Sequence, residues 1–190
     1  MARLRVVAGS VGGRRLVAPR SAARPTTDRV KEAVFASLGP DRLEGAAVLD
    51  LYAGSGALGI EALSRGAARA VFVDHDRAAV DAISANLAAT GFTAIARVLR
   101  SAVAAFLVPP VPDAPFDLVL LDPPYDAPST GVTAVLRALA APGVLAPGAT
   151  VVLERPRRPG AIDGAVDLPE HWQNRSERAY GDTLVLVATA

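Results

Sequence analysis

The sequence predicts an α/β domain: a mostly parallel sheet with helices on both faces. Three observations carry this. Near-continuous apolar runs alternate with stretches of helical periodicity, as in strands buried on both faces. A glycine-rich turn joins the first run of that alternation to its first helix. The end of the chain then changes character, to two short runs separated by Gly181-Asp182.

The elements follow in order. Leu4-Arg5-Val6-Val7 and Arg14-Arg15-Leu16-Val17 flank Gly9-Ser10-Val11-Gly12-Gly13 and read as a β-hairpin; Pro19 to Pro25 reads as loop. Thr26-Thr27-Asp28 offers helix N-caps, and Val30, Ala33, Val34 and Leu38 recur at helical spacing up to Gly39-Pro40. The alternating core begins near Ala46. Strands are expected at Ala46–Leu51, Ala70–Val73, Ala94–Val98, Phe116–Leu121 and Thr150–Leu153. Helices are expected at about Ala57–Arg65, Arg77–Thr90, Ala102–Leu107 and Val132–Ala140. Arg175–Tyr180 and Thr183–Thr189 read as a closing antiparallel hairpin. The expected organisation is a basic N-terminal hairpin arm over residues 1–25 and one domain over residues 26–190.

Composition narrows the chemistry. The 190 residues contain no cysteine, which excludes disulfides, thiolate–zinc sites and cysteine nucleophiles. The two histidines, His75 and His171, are far apart in sequence, so no metal is expected. No apolar run approaches the roughly 18 residues of a membrane span. Met1-Ala2-Arg3-Leu4-Arg5 leads into no secretory segment, so a cytoplasmic protein without membrane contact is expected.

The net charge of +1 hides an asymmetry. Arg3, Arg5, Arg14, Arg15, Arg20, Arg24, Arg29 and Lys31 stand against Asp28 alone in the first 31 residues, so the remainder is acidic. A basic leading segment on an acidic body suits a polyanion, most simply nucleic acid. The alternative is a solvated tail. Lys31 is the sole lysine, and arginine's planar fork suits phosphate and base edges, although an arginine bias also arises from genome composition.

Asp50-Leu51-Tyr52-Ala53-Gly54-Ser55-Gly56-Ala57-Leu58-Gly59 carries Gly54, Gly56 and Gly59 as G-x-G-x-x-G between a strand and a helix. Such turns also form for packing reasons, and the ligand must be argued separately. Asp50, at the strand end, is unfavourable beside a pyrophosphate. It is favourable beside the sulfonium and amine of S-adenosylmethionine, a phosphate-free cation. Asp74 ends the next strand and suits ribose hydroxyls, a feature shared with NAD. Asp76 is equally readable as the N-cap of the following helix. His75 is expected to pack beside the adenosine or face solvent.

Asp122-Pro123-Pro124-Tyr125 follows the apolar run Phe116–Leu121. The Asp122 carboxylate and the Pro123 carbonyl can accept N–H bonds from an exocyclic nucleobase amine, and Tyr125 can stack on the ring. Two prolines remove two competing donors. The alternative is an ordinary proline-rich turn.

Together these motifs resemble class I S-adenosylmethionine-dependent methyltransferases acting on exocyclic amines. More narrowly, the chain is similar to the RsmD family, bacterial guanine-N2 methyltransferases of 16S ribosomal RNA. The narrower likeness rests on the basic hairpin, the block Arg24-Pro25-Thr26-Thr27-Asp28-Arg29-Val30-Lys31-Glu32-Ala33-Val34-Phe35, the glycine loop running on to Glu61-Ala62, the Asp122–Tyr125 tetrapeptide and Tyr180-Gly181-Asp182. The resemblance covers nearly the whole chain.

The resemblance implies a Rossmann-like seven-stranded sheet, mostly parallel with a C-terminal antiparallel hairpin, plus the small N-terminal hairpin. It implies cofactor contacts at Asp50, Tyr52, Gly54, Ser55, Gly56, Gly59, Asp74, His75, Ser101, Ala102 and Asp122. Asp122, Pro123 and Tyr125 would act on the substrate amine. Arg3, Arg5, Arg14, Arg15, Arg24, Thr26 and Arg29 would contact RNA. The expected partner is 16S ribosomal RNA or a small-subunit particle, the cofactor S-adenosylmethionine leaves as S-adenosylhomocysteine, and the protein is expected to be a monomer. Members of the class often carry an acid after the third strand for the adenine amine. Arg100-Ser101-Ala102 stands there, leaving that contact to Ser101 or a carbonyl.

Arg155, Arg157 and Arg158 are expected to form a second basic patch, Glu154 to end a strand facing solvent, and Trp172 to pack on the sheet edge. Competing functions are a DNA adenine-N6 or cytosine-N4 methyltransferase, an idle nucleic-acid-binding assembly factor and, remotely, a nicotinamide oxidoreductase. Pyrimidine C5 methylation through a thiolate is excluded by the lack of cysteine.

Overall fold

The computed structural model describes residues 4–19, 28–157 and 166–190. Seven strands form one sheet: β1 (Ala47–Leu51), β2 (Arg69–Asp74), β3 (Ala96–Arg100), β4 (Phe116–Leu121), β5 (Leu145–Pro156), β6 (Gln173–Tyr180) and β7 (Thr183–Thr189). Their spatial order is β3-β2-β1-β4-β5-β7-β6. The first five are parallel, and β7 inserts antiparallel between β5 and β6.

Burial explains the sequence pattern. Every residue of β1 is buried, because helices cover both faces. On one face Val48, Phe72, Leu118, Leu120 and Val152 join α1 (Asp28–Leu38), α2 (Ala57–Ser64) and α3 (Arg77–Thr90). On the other, Leu49, Leu51, Val71, Val73, Val119 and Leu121 join α4 (Val103–Phe106) and α5 (Ser129–Leu139). In α3 the buried residues Ala79, Ala82, Ile83, Asn86, Leu87 and Thr90 follow helical spacing. Asp76 caps this helix by accepting from Ala78 N–H, and Gly91 closes it with φ +81°.

The eight residues of α2 are all buried, polar ones included. The cause is the N-terminal hairpin, which lies on the helix and turns it into an interior element. Leu4, Val6 and Leu16 are buried against α1 and α2 residues. The two legs share one bridge, Arg5 to Arg15. Glu61, fully buried, accepts from Val7 N–H (2.6 Å) and Ala8 N–H (3.0 Å) and pairs with Arg65 (2.7 Å). Gly9 passes so close to α2 that a Cβ there would stand 1.8 Å from the Ser64 carbonyl oxygen. Lys31 is likewise buried and donates to the Arg5 carbonyl, so its charge is spent inside the fold and not on a surface.

Two expectations are corrected. Glu154 does not face solvent: it is 3% exposed, because β7 pairs alongside β5 with Val185 opposite Glu154. The fifth strand runs from Leu145, well before the expected Thr150. Pro147-Gly148, of residue types that ordinarily interrupt a strand, is carried through an irregularity in the β4–β5 register between Phe116 and Leu118. Trp172 is buried, joining the second core beside β5 residues.

Candidate active site

The sheet reverses its direction of growth at β1 and β4. From β1 the chain builds outward through β2 and β3, and from β4 through β5. Crevices for ligands open at such switch points, beyond the C-terminal strand ends. The chemistry-bearing residues gather there. Leu51 pairs with Val73 of β2 and with Leu121 of β4, so Asp74, Tyr52 and Asp122, each the next residue along, border one crevice.

The glycine loop forms its floor. Gly54 and Gly56 adopt φ +56° and +74°, which a side chain resists, and Gly56 caps α2. Gly54 N–H donates to Asp74 Oδ2 at 2.8 Å, and Asp76 N–H donates to Oδ1 at 2.9 Å. Each Asp74 oxygen keeps a second lone pair, so the carboxylate is oriented with acceptor capacity to spare. Tyr52, between the loop and Asp122, is one of two non-glycine residues with positive φ (+57°) among the described residues. Its ring is half-buried, and that burial raises its phenol pKa.

Asp50 lies beneath the loop and is 1% exposed. Its Oδ2 accepts from Gly59 N–H at 2.9 Å. Burial pushes its carboxyl well above the ordinary aspartate value. The Gly59 N–H opposes this, and the Asp122 and Asp74 carboxylates add to it. Gly59 is required by close packing: a Cβ there would meet Phe72 Cε1 at 2.4 Å and Asp50 Oδ2 at 2.9 Å. Asp50 is therefore buried beneath the loop and supports it from below.

Asp122 is half-buried at the end of β4, Pro123 is buried, and Pro124 and Tyr125 are exposed, the ring at 41%. Ala127 N–H donates to the Pro124 carbonyl and closes the turn ahead of α5. On the other flank Ser101 N–H donates to the Asp74 carbonyl, while Ser101 Oγ bonds to the Ala102 carbonyl. His75 points to solvent, its Nδ1 3.5 Å from Asp74 Oδ1, and its carbonyl accepts from Arg100 Nε.

The RNA-side candidates divide. Arg5, Arg14 and Arg15 are exposed on the hairpin; Arg3, Arg24 and Thr26 lie outside the described residues, as does the side chain of Arg29. Of the second basic group, Arg157 is exposed and Arg158 lies outside the described residues. Arg155 is half-buried and donates to Ser129 Oγ at the start of α5. A residue the motifs did not flag is Asn86, whose buried amide bonds to both the hairpin and the glycine loop. A polar residue on the apolar stripe of α3 was its only sequence signal. Far from this crevice, a recess of about 470 Å³ opens at the N-terminal strand ends, between Arg42, Asp117 and Thr150.

The donor set fits a cationic cofactor. Three carboxylates converge strongly enough for two of them to raise the pKa of the third, and a sulfonium or ammonium relieves that repulsion. Among the described residues no group of three His, Asp or Glu side chains could hold a metal ion. No helix there is long and apolar enough to cross a membrane.

A seven-stranded sheet in this order, with a glycine loop after β1 and an acid as the last residue of β2, defines the Rossmann-like S-adenosylmethionine-dependent methyltransferase class. Within that class the chain belongs to the family described as conserved hypothetical protein 95, the RsmD family, whose model matches residues 4–189. It is 37% identical over 179 residues to ribosomal RNA small subunit methyltransferase D of Escherichia coli, covering 94% of this chain and 85% of that protein. The protein of that name from Haemophilus influenzae is 33% identical over 180 residues, covering 94% and 89%. A solved Escherichia coli structure described as a methyltransferase superposes with a TM-score of 0.82 at 33% identity, covering 98% of this chain and 97% of that one.

Proposed function

We propose that the protein transfers a methyl group to the exocyclic N2 amine of a guanine in 16S ribosomal RNA of the small subunit. The observation that carries this reading is the meeting of Asp122-Pro123-Pro124-Tyr125 with the glycine loop across the β1–β4 crevice. The ribosomal substrate is supported by the relatives' names and by the basic hairpin.

S-adenosylmethionine, when bound, supplies a methyl on a sulfonium sulfur, a leaving group that needs no further activation. The residues then have to bind, orient and exclude water. Asp74 accepts from ribose hydroxyls, and Asp50 and Asp122 favour the cationic end. The Asp122 carboxylate and the Pro123 carbonyl accept the two N–H bonds of the guanine amine. Both bonds would favour a lone pair drawn out of conjugation. As the N–C bond forms and the S–C bond breaks to leave a neutral thioether, the carboxylate would stabilise the positive charge on nitrogen. The proton that the methylated amine then loses would pass to Asp122 or to water. Tyr125, exposed in the free protein, stacks on the extruded base, worth about 1–3 kcal/mol. Extrusion costs a few kcal/mol, less from a loop or bulge than from a duplex. Arg5, Arg14 and Arg15 hold phosphates and set the register.

The test is identification of the product. Small-subunit ribosomal RNA, small-subunit particles and duplex DNA are each incubated with methyl-labelled cofactor and digested to nucleosides. N2-methylguanosine from the ribosomal substrate is expected. N6-methyladenine or N4-methylcytosine from DNA would assign the loop to the rival DNA chemistry, and no label in any arm would leave a binding protein.

A further inference from the structure

We propose that Asn86 is a positioning residue that couples RNA held on the hairpin to cofactor held on the glycine loop, so that each ligand tightens the other. This rests on the reading under Proposed function.

An asparagine in the middle of a helix is disfavoured, and a buried amide is costly unless fully bonded. Asn86 is 1% exposed within α3, and its bonds leave the helix entirely. Oδ1 accepts from Val17 N–H at 2.7 Å. Nδ2 donates to the Val17 carbonyl at 2.9 Å and to the Ser55 carbonyl at 2.8 Å. One acceptor and both amide hydrogens are thereby used. The neighbouring Thr90, by contrast, donates only back into α3.

The two segments so joined are the two sides of the reaction. Val17 is the last residue of the hairpin leg that carries Arg14 and Arg15. Its side chain is 61% exposed and contributes little burial, so Asn86 holds this exit point through the backbone. Ser55 lies between Gly54, bonded to Asp74, and Gly56, which caps α2. Of the other fastenings among the described residues, Glu61 and Ser64 grip the far half of α2 and Lys31 of α1 holds the Arg5 carbonyl, so these bonds do not reach the loop. A glycine-rich segment is entropically expensive to order. A ligand that fixes Val17 fixes the amide, and with it the Ser55 carbonyl, so the second ligand meets a loop already ordered. Coupling of this kind is reciprocal.

The experiment measures S-adenosylhomocysteine affinity by calorimetry, with and without saturating small-subunit ribosomal RNA, in wild type and Asn86→Leu. The product is used because no methyl can transfer. Wild type should bind it at least about five-fold more tightly with RNA present, and in Asn86→Leu that ratio should fall to one. A wild-type ratio of one, or an unchanged ratio in the variant, overturns the proposal. Should S-adenosylhomocysteine fail to bind wild type at all, the functional reading falls and this inference with it. Hydrogen exchange on wild type covers the case in which the variant does not fold. RNA alone should slow exchange at residues 53–57, and unchanged exchange there also overturns the coupling.

Discussion

Gly59 N–H donates to Oδ2 of Asp50 across 2.9 Å, tying the first turn of α2 to the end of β1 beneath the loop. The contact leaves no room for a side chain, since a Cβ on Gly59 would crowd both Phe72 and Asp50. Gly59→Ala should therefore cost about 1–3 kcal/mol by overpacking. Urea unfolding measures this, and cofactor affinity should fall with it.

The raised pKa of Asp50 makes a second prediction, about pH. The buried carboxyl holds its proton above the ordinary value of 3.8, so the folded state binds more protons than the unfolded one in that window. Stability of the free protein should accordingly decline as pH rises from 3.8 through the raised value. Asp50→Asn keeps an acceptor for Gly59 and should flatten this decline. The cofactor's cationic end favours the ionised form, so binding should release a proton and tighten as pH rises in wild type only. Urea titrations across pH and calorimetry in two buffers check both halves.

Asp74 is held by Gly54 and Asp76 with acceptor capacity left for a ribose. Asp74→Asn removes the charge and one acceptor. Cofactor binding should weaken by about ten- to a hundred-fold, the range for hydrogen bonds to a charged group. An unchanged dissociation constant would place the ribose elsewhere.

The parallel core was open to reading in the sequence because its signals are local. Apolar runs such as Phe116–Leu121 and the α3 pattern from Arg77 to Thr90 are set by burial on two faces or one, and both stand where the pattern puts them. Asp50, Asp74 and Asp122 could also be placed, since each follows directly on an apolar run. What escaped depends on pairings distant in sequence. Glu154 looks like a strand-end acid until β7 is laid beside it, and Lys31 looks like one more surface cation until its ammonium is found against Arg5. Nothing in Val17 or Ser55 points to Asn86, because the groups it bonds are backbone. The strand through Pro147-Gly148 was hidden by residues that ordinarily end one.

Arg14 and Arg15 are exposed on a hairpin that is fastened to α2, which makes them testable without disturbing the cofactor site. Replacing both with alanine should weaken RNA binding. It should also make the slope of log affinity against log salt shallower by about 0.7–0.9 for each phosphate no longer neutralised. Cofactor affinity without RNA should stay as in wild type. An unaltered slope would move the RNA path off the hairpin.

The most direct test of the amine-gripping loop is single-turnover methyl transfer by Asp122→Ala, measured alongside its affinity for S-adenosylhomocysteine. The chemical step should slow by at least about a hundred-fold, the scale for removing one preorganised charge-stabilising group. Product affinity should remain within a few-fold of wild type. Turnover at the wild-type rate would contradict the account.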